Sequence, residues 1–208
     1  MKIAILGTGQ VARALGGGAA AAGHDLCYGS RRPETISGLD HPVLAHADAI
    51  AKADLVISAV AAARSVANAQ AIGADVFADK VVLDLGNAVS SDFSLLYPNA
   101  SLGQALQQTL PQARIVKSLN TLPAPLMINP AAVPGTSVFV SGDDTGAKAT
   151  VTAFLQSLGW ASDAIIDLGG IESARGPEHY FLLFAALMQA PAGPGRPFNL
   201  SIVPSLDG

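Results

Sequence analysis

The feature that most constrains this chain is a glycine-rich turn close to its first residue. An apolar stretch, Lys2–Leu6, is followed at once by Gly7–Ala12, which reads GTGQVA, and by a helical stretch over Gln10–Ala22. The spacing G-x-G-x-x-A is a form of the fingerprint that opens dinucleotide-binding βαβ units. Its first glycine permits a tight turn, its second lets the backbone approach a pyrophosphate, and its alanine lets the helix lie close to the sheet. The free N–H groups of the first helical turn attract phosphate, so we predict a Rossmann unit here.

The end of the second predicted strand, Asp25–Tyr28, indicates which dinucleotide binds. About twenty residues beyond the glycine turn, a site for NAD carries an acidic residue that binds the ribose 2′-hydroxyl. This chain instead reads Gly29-Ser30-Arg31-Arg32. A carboxylate would repel a 2′-phosphate, whereas guanidinium groups bind phosphate bidentately and the Ser30 hydroxyl can donate a further hydrogen bond. The sequence therefore favours NADP(H).

Short apolar strands alternate with helices along the rest of the chain. Continuous apolar runs such as IAIL, LVIS and VVLDL are typical of strands covered on both faces, and the alternation indicates a parallel, doubly wound sheet. We predict an α/β Rossmann fold with a small C-terminal α/β appendage, divided into a dinucleotide-binding domain over residues 1–140 and a C-terminal region over residues 141–208. The predicted strands are Lys2–Leu6, Asp25–Tyr28, Leu55–Ala59, Val81–Leu85, Arg114–Lys117, Ser137–Val140 and Ala164–Leu168. The predicted helices are Gln10–Ala22, Ala63–Ile72, Ser101–Leu110, Asp143–Leu158 and Glu172–Gln189.

The composition of the chain excludes several classes of function. A net charge of −4 with scattered Lys and Arg gives no reason to expect a nucleic-acid partner. No stretch is long and apolar enough to span a membrane. The single cysteine, Cys27, can form no intramolecular disulfide and suits a reducing cytoplasm. The histidines, His24, His41, His46 and His179, show no metal-ligand spacing, so no metal is predicted.

Beyond the glycine turn, the chain resembles the deazaflavin (coenzyme F420)-dependent NADP reductases, which pass hydride between NADPH and an 8-hydroxy-5-deazaflavin. The resemblance begins with GTGQVA and GSRR and runs over nearly the whole chain, most strongly in its first part. It continues with LVISAV at Leu55–Val60, LDLGNAV at Leu83–Val89, VKSLNTLPAPLM at Val116–Met127 and SGDD at Ser141–Asp144. It implies a Rossmann fold, NADP(H) as the cofactor, a deazaflavin or flavin as co-substrate, and a homodimer.

The same resemblance assigns cofactor contacts residue by residue. It implies that the pyrophosphate is contacted by Gly7, Thr8, Gly9, Gln10 and Val11, and the 2′-phosphate by Ser30, Arg31 and Arg32. It also implies that Ala59 and Val60 lie near the second ribose. Beside the nicotinamide it places Asn87, Ala88 and the segment Leu119–Thr121, which includes Asn120.

Residues for acid–base catalysis are scarce. Lys117, Asn120 and Asp84 are weak candidates: the β-hydroxyacid dehydrogenases use a Lys and an Asn as a catalytic pair, and Asp84 lies near the end of a strand. In those enzymes the pair lies on a helix at a spacing of four, whereas here it follows a strand at a spacing of three, which favours a structural role. Reducing a ketone needs a proton donor at the forming alkoxide, whereas transfer between two flat rings does not, because the ring delocalises the charge. The scarcity of acid–base residues therefore favours hydride transfer from ring to ring.

We predict an NADPH-dependent oxidoreductase that transfers hydride to a small-molecule acceptor with a flavin-like or deazaflavin ring. Two alternatives stay open. One is a reductase of a small carbonyl or imine, with Lys117 or Asp84 as proton donor, and the other is a module that senses NADPH without turning it over. His41 and His46 are expected in a polar surface loop, and His179 is a weaker candidate for the acceptor pocket.

The last predicted helix contains the segment FLLFAALM, which is apolar nearly all round. A helix of this kind is usually buried. The sequence leaves open whether it is buried within one subunit or against a second copy of the chain. Together with the family resemblance, this apolar helix favours a homodimer in which residues 141–208 contribute to the interface and to the acceptor site.

We expect NADPH to bind at least about a hundredfold more tightly than NADH, because two charge-assisted hydrogen bonds to the 2′-phosphate amount to roughly 3 kcal/mol. Titration of both cofactors into the purified protein measures the ratio. Equal affinities would contradict the assignment of Ser30, Arg31 and Arg32.

Overall fold

One eight-stranded sheet runs through the chain, with the strand order β3-β2-β1-β4-β5-β6-β7-β8. The computed structural model describes residues 1–205. Its strands are β1 (Lys2–Leu6), β2 (Asp25–Ser30), β3 (Val43–Ala45), β4 (Leu55–Ser58), β5 (Val81–Asp84), β6 (Arg114–Ser118), β7 (Val138–Ser141) and β8 (Ile165–Asp167).

Strands β1 to β6 are parallel, and their order is that of a doubly wound dinucleotide-binding sheet. The predicted α/β Rossmann fold is therefore confirmed. β7 lies antiparallel to β6, and β8 lies parallel to β7. Residue 140 is inside β7, so strands on both sides of the predicted domain boundary belong to the same sheet. The division at that residue stays a prediction.

Helices cover both faces of the sheet. They are α1 (Gln10–Ala21), α2 (His46–Lys52), α3 (Ser65–Ile72), α4 (Leu102–Thr109), α5 (Ala124–Met127), α6 (Thr145–Ser157) and α7 (Arg175–Gln189). Successive strand side chains point to opposite faces. Ile3 and Ile5 pack in one apolar cluster with α1 and α6, whereas Ala4 and Leu6 pack in the other with α2, α3 and α4. This two-sided burial explains why the central strands are continuously apolar.

The region between β2 and β4 differs from the sequence-based expectation. The predicted polar loop around His46 is wrong, because β3 and α2 lie there and His46 is the first residue of α2. β3 is only three residues long, so it offers too few positions for a periodic pattern. The missed strand completes the edge of the sheet beside β2.

The C-terminal helix α7 begins at Arg175, so Pro177 lies in its first turn, where proline is tolerated. Leu182, Leu183 and Met188 of this helix are exposed, which shows that its apolar surface is covered only in part within one chain. None of the helices in residues 1–205 is long and apolar enough to cross a membrane.

Candidate functional site

The residues assigned to the cofactor all lie just beyond the carboxyl ends of parallel strands. The glycine turn follows β1, the Ser30–Arg32 segment ends β2, and Ala59 and Val60 follow β4. Asn87 with Ala88 and Asn120 follow β5 and β6. Carboxyl ends of parallel strands share one edge of a sheet, and open α/β sheets bind ligands at that edge. The fold therefore brings the predicted residues to one side of the molecule.

The turn after β1 has the two properties that its glycines predict. Gly7 has a φ of +113°, and a Cβ atom built on it would lie 2.7 Å from the carbonyl oxygen of Ala59. Only glycine fits this close approach between the turn and the segment after β4. Gly9 caps the start of α1 without a side-chain hydrogen bond, and within residues 1–205 no atom beyond Gly9 and its chain neighbours lies within 4 Å of the position of its missing Cβ. The N-terminus of α1 thus faces open space with free N–H groups.

The Ser30–Arg32 segment presents two free cations at the end of β2. The backbone N–H of Arg32 donates to the Ser30 hydroxyl at 3.1 Å, which shapes the turn. Arg31 and Arg32 are both exposed, and neither takes part in an ion pair among the residues that the structure describes. Arg13 of α1 joins the glycine turn to the loop between β2 and β3 by donating to the carbonyl oxygens of Thr8 and Gly38 at 3.1 and 2.7 Å.

A cavity of about 290 Å³ lies where the glycine turn, the ends of β5 and β6, and α7 meet. Val11, Asn87 and Asn120 form part of its wall, and Phe181 and Phe184 face them from α7. None of the residues that line the cavity is charged. Its chemistry suits a largely apolar group with a few hydrogen-bonding atoms.

Two asparagines form the polar part of this wall. The Asn87 amide donates to the backbone carbonyl of Asn120 at 2.7 Å, and the Asn120 amide donates to Oδ1 of Asn87 at 2.9 Å. Leu119, just before Asn120, is buried and has a φ of 62°, a left-handed conformation that is unfavourable for a leucine. The surrounding packing holds this strained residue, and it turns the chain at the end of β6 so that the two amides meet.

A buried network of charges lies directly beneath the asparagines. Asp84 and Lys117 are register partners on β5 and β6, and the Lys117 ammonium lies 2.7 Å from Oδ2 of Asp84 and 2.7 Å from Oε1 of Glu178. It also donates to the carbonyl oxygen of Gly86. An ammonium has three protons, and these three acceptors use all of them. Lys117 is 1% exposed, so it has no proton left to present to the cavity.

Glu178 joins this network to α7 and α4. Its carboxylate accepts hydrogen bonds from the backbone N–H groups of Leu102 and Gly103 at 2.7 and 3.1 Å, at the start of α4. Negative charge is favoured there by the helix dipole. Glu178 was not predicted from the sequence. The signal for it was a carboxylate that comes shortly before the apolar run FLLFAALM of the same helix, where a charge that is buried needs a partner.

The aromatic wall of the cavity was also missed. Phe181 and Phe184 stack at a ring-centroid distance of 6.3 Å, and Phe184 stacks on Phe198 of the C-terminal segment at 5.0 Å. Phe93, in the loop after β5, stacks on Phe181 at 6.2 Å. The sequence showed an apolar helix but gave no means of finding which of its faces lines a cavity.

Two further polar groups lie in or near the site. The hydroxyl of Tyr180, which also lines the cavity, is enclosed without a hydrogen-bond partner in the described part of the chain, and burial raises its pKa. His179 lies outside the cavity wall, with Nε2 at 3.4 Å from the carbonyl oxygen of Tyr97. Within residues 1–205, no group of three His, Cys, Asp or Glu side chains is arranged to hold a metal.

Comparison with known proteins identifies the family. A solved structure from Arthrobacter sp. FB24, described as an F420-dependent NADP reductase, is 37% identical, with a TM-score of 0.88, and the match covers 98% of this chain and 100% of that chain. The chain belongs to the coenzyme F420-dependent NADP oxidoreductase family. The family model "NADP oxidoreductase coenzyme F420-dependent" matches residues 2–88, which contain the glycine turn and the Ser30–Arg32 segment. The chain is thus a member of a family of NADP-dependent oxidoreductases.

More distant relatives share parts of this architecture. The metalloreductase STEAP3 of Rattus norvegicus is 28% identical over 178 residues, which are 84% of this chain and 35% of that protein. The chain therefore spans about a third of the length of this curated relative. An imine reductase from Streptomyces aurantiacus is 14% identical with a TM-score of 0.67, covering 90% of this chain and 63% of that one, and shows a shared fold.

Replacing Lys117 by methionine should lower the free energy of unfolding by about 3–5 kcal/mol, because it leaves the Asp84 and Glu178 carboxylates buried without a cation. Urea denaturation measures the change. Lys148→Met is the matched control, since Lys148 pairs at 2.8 Å with Asp167, whose side chain is 58% exposed. An exposed pair contributes less than about 1 kcal/mol. Equal losses in the two variants would contradict a central role for the buried network.

Proposed function

We propose that this chain transfers hydride between NADP(H) and a flavin-like or deazaflavin ring by direct ring-to-ring transfer. The observation that supports it most is the uncharged cavity between the asparagine pair and the Phe181–Phe184 wall. A cavity of this kind can hold flat rings against each other. Holding the two reacting carbons close together is then the main catalytic contribution of the protein.

The geometry of the glycine turn fits a bound pyrophosphate. In this proposal, Gly7, Thr8, Gly9, Gln10 and Val11 surround it. The open space at the missing Cβ of Gly9 leaves room for phosphate oxygens, and the uncapped N–H groups of α1 are free to donate to them. A Cβ at that position would occupy this space.

The remaining proposed cofactor contacts lie along the carboxyl edge of the sheet, on both sides of the glycine turn. Ser30, Arg31 and Arg32 bind the 2′-phosphate, because the two guanidinium groups lack ion-pair partners of their own in the described residues. On the other side, Ala59 and Val60 lie at the second ribose. Asn87, Ala88 and Asn120 lie at the nicotinamide, in the wall of the cavity or directly beside it.

Bound NADPH supplies the hydride from C4 of its nicotinamide, and one proton from solvent completes the dihydro form of the acceptor. The residues around it position the rings and do not transfer the proton. Asn87 and Asn120 fix each other, and no donor among residues 1–205 binds Oδ1 of Asn120, which leaves this oxygen as an acceptor at the cavity wall. Asp84 and Lys117 act below the cavity as structural charges, because their ionic contacts are internal to the network.

The test of this function is the transfer of deuterium to a 5-deazaflavin from NADPH that carries deuterium at both hydrogen positions of C4. Hydrogen at C5 of a reduced deazaflavin is bound to carbon and does not exchange with water. We expect the label to be retained at C5, which mass spectrometry of the product measures. Reduction with loss of the label would contradict direct transfer. Absence of NADPH oxidation with every flavin, deazaflavin and quinone acceptor would instead support a module that senses NADPH.

The enclosed Tyr180 hydroxyl is the observation that keeps the carbonyl or imine reductase as a second candidate, since it is an uncommitted proton donor at the cavity. Tyr180→Phe separates the two functions when kcat is measured both with the deazaflavin and with a small carbonyl or imine substrate. Ring-to-ring transfer needs no protein acid, so kcat should change by less than about fivefold, whereas loss of a general acid lowers it by about 10²–10⁴-fold. Tyr97→Phe, in a loop outside the cavity, is the matched control.

The exposed side of α7 supports a homodimer as the working form. Leu182, Leu183 and Met188 are 41%, 53% and 41% exposed, and they lie on the helix that also carries the aromatic wall. Several large apolar side chains left exposed on one helix are typical of a surface that a partner covers. In this proposal a second copy of the chain covers it, so residues 141–208 contribute both the interface and one side of the acceptor site.

Light scattering should therefore give a mass of twice the 21.0 kDa of one chain. Leu183→Glu should shift the protein to the monomer, because it places a charge in the apolar contact. Leu96→Glu, at an exposed leucine in the loop after β5, should leave the dimer intact. A monomeric native protein would contradict the proposal.

A further inference from the structure

His46 lies beside the Ser30–Arg32 segment because β3 runs parallel to β2 at the edge of the sheet. The register pairs Ser30 with Ala45, so the next residues along the two strands are Arg31 and His46. Adjacent strands lie about 4.8 Å apart. The chain thus brings an imidazole to the two free guanidinium groups, although the sequence places them in separate segments.

The packing of the ring determines which nitrogen carries its proton. Nδ1 of His46 is enclosed without a hydrogen-bond partner in residues 1–205 and lies 2.9 Å from where a Cβ of Gly29 would be. A buried N–H without an acceptor is rarer and less favourable than a buried lone pair. Burial, and then the nearby Arg31 charge, lower the pKa of His46, so the ring is neutral at pH 7. The single proton therefore lies on Nε2, the nitrogen that is not enclosed.

We infer that His46 is a further ligand of the 2′-phosphate, to which it donates a hydrogen bond from Nε2. This inference rests on the proposed binding of NADP(H) at Ser30, Arg31 and Arg32. The ligand it recognises is a phosphate monoester on the adenosine ribose. A neutral donor suits this position because it adds a hydrogen bond without adding a third positive charge beside the two arginines, which would repel it in the free protein.

The missing side chain of Gly29 also explains how the His46 ring is held in place. Gly29 has no side chain, and a Cβ there would lie 2.7 Å from a Leu6 methyl group and 2.9 Å from Nδ1 of His46. Glycine at the end of β2 therefore leaves the space that the imidazole fills. The ring is packed on its Nδ1 side over Gly29, so Nε2 is the nitrogen left to bind a ligand at the carboxyl edge of the sheet.

The experiment compares adenosine 2′,5′-bisphosphate with adenosine 5′-monophosphate by isothermal titration calorimetry, so it needs no turnover. His46→Phe keeps a ring in the space under Gly29 and removes the donor. It should weaken binding of the bisphosphate about tenfold and change binding of the monophosphate by less than about twofold. His46→Gln, whose amide can reach the position of Nε2, should retain most of the bisphosphate affinity. His41→Gln, at the opposite end of β3, is the matched control and should match the native protein.

The outcomes of the titration distinguish a failure of the proposed NADP(H) binding from a failure of the proposed role of His46. A native protein that binds the two nucleotides equally would overturn the proposed NADPH preference itself. A native protein that prefers the bisphosphate, together with a His46→Phe variant of unchanged preference, would overturn only the role of His46. Equal weakening of both nucleotides in His46→Phe and His46→Gln would also overturn it, since it indicates a damaged turn and not a lost donor.

Discussion

The rest of the structure depends on one buried cation, the Lys117 ammonium. It is held by Asp84 on the neighbouring strand, by Glu178 at the start of α7 and by the carbonyl oxygen of Gly86. The three charges sum to one excess negative charge, which Glu178 places at the N-terminus of α4. Each of these groups would be costly to bury alone, so β5, β6, α4 and α7 reach a favourable arrangement only together.

This arrangement determines the shape of the site above it. Asn87 and Asn120 follow the two strands that carry Asp84 and Lys117, and Phe181 and Phe184 lie on the helix that carries Glu178. The network therefore ties the polar wall of the cavity to its aromatic wall. The strained conformation of Leu119 completes the polar wall, and the packing of a buried leucine holds it there. Rigid support of this kind is what ring-to-ring transfer requires, because the distance between the reacting carbons determines the rate.

Local patterns predicted the parts of the fold and of the site that are contiguous in the chain. GTGQVA and SRR each lie within a few residues, and the parallel sheet follows from the apolar runs, so these features could be found without coordinates. Glu178, by contrast, meets Lys117 across sixty-one positions of sequence (178 − 117). His46 reaches Arg31 only through a three-residue strand that has no detectable period. Pairings of this kind depend on tertiary packing, and a single sequence contains no local signal for them.

The aromatic wall is assembled from three separate segments: the loop that holds Phe93, helix α7, and the C-terminal segment that holds Phe198. None of these rings takes part in the buried charges or in the glycine turn. In the function proposed above, one half of the site faces the dinucleotide and the other half faces its redox partner, so the two halves can diverge separately during evolution. A lineage could change what it reduces by altering the loop or the C-terminal segment, while the machinery for the nucleotide stays the same.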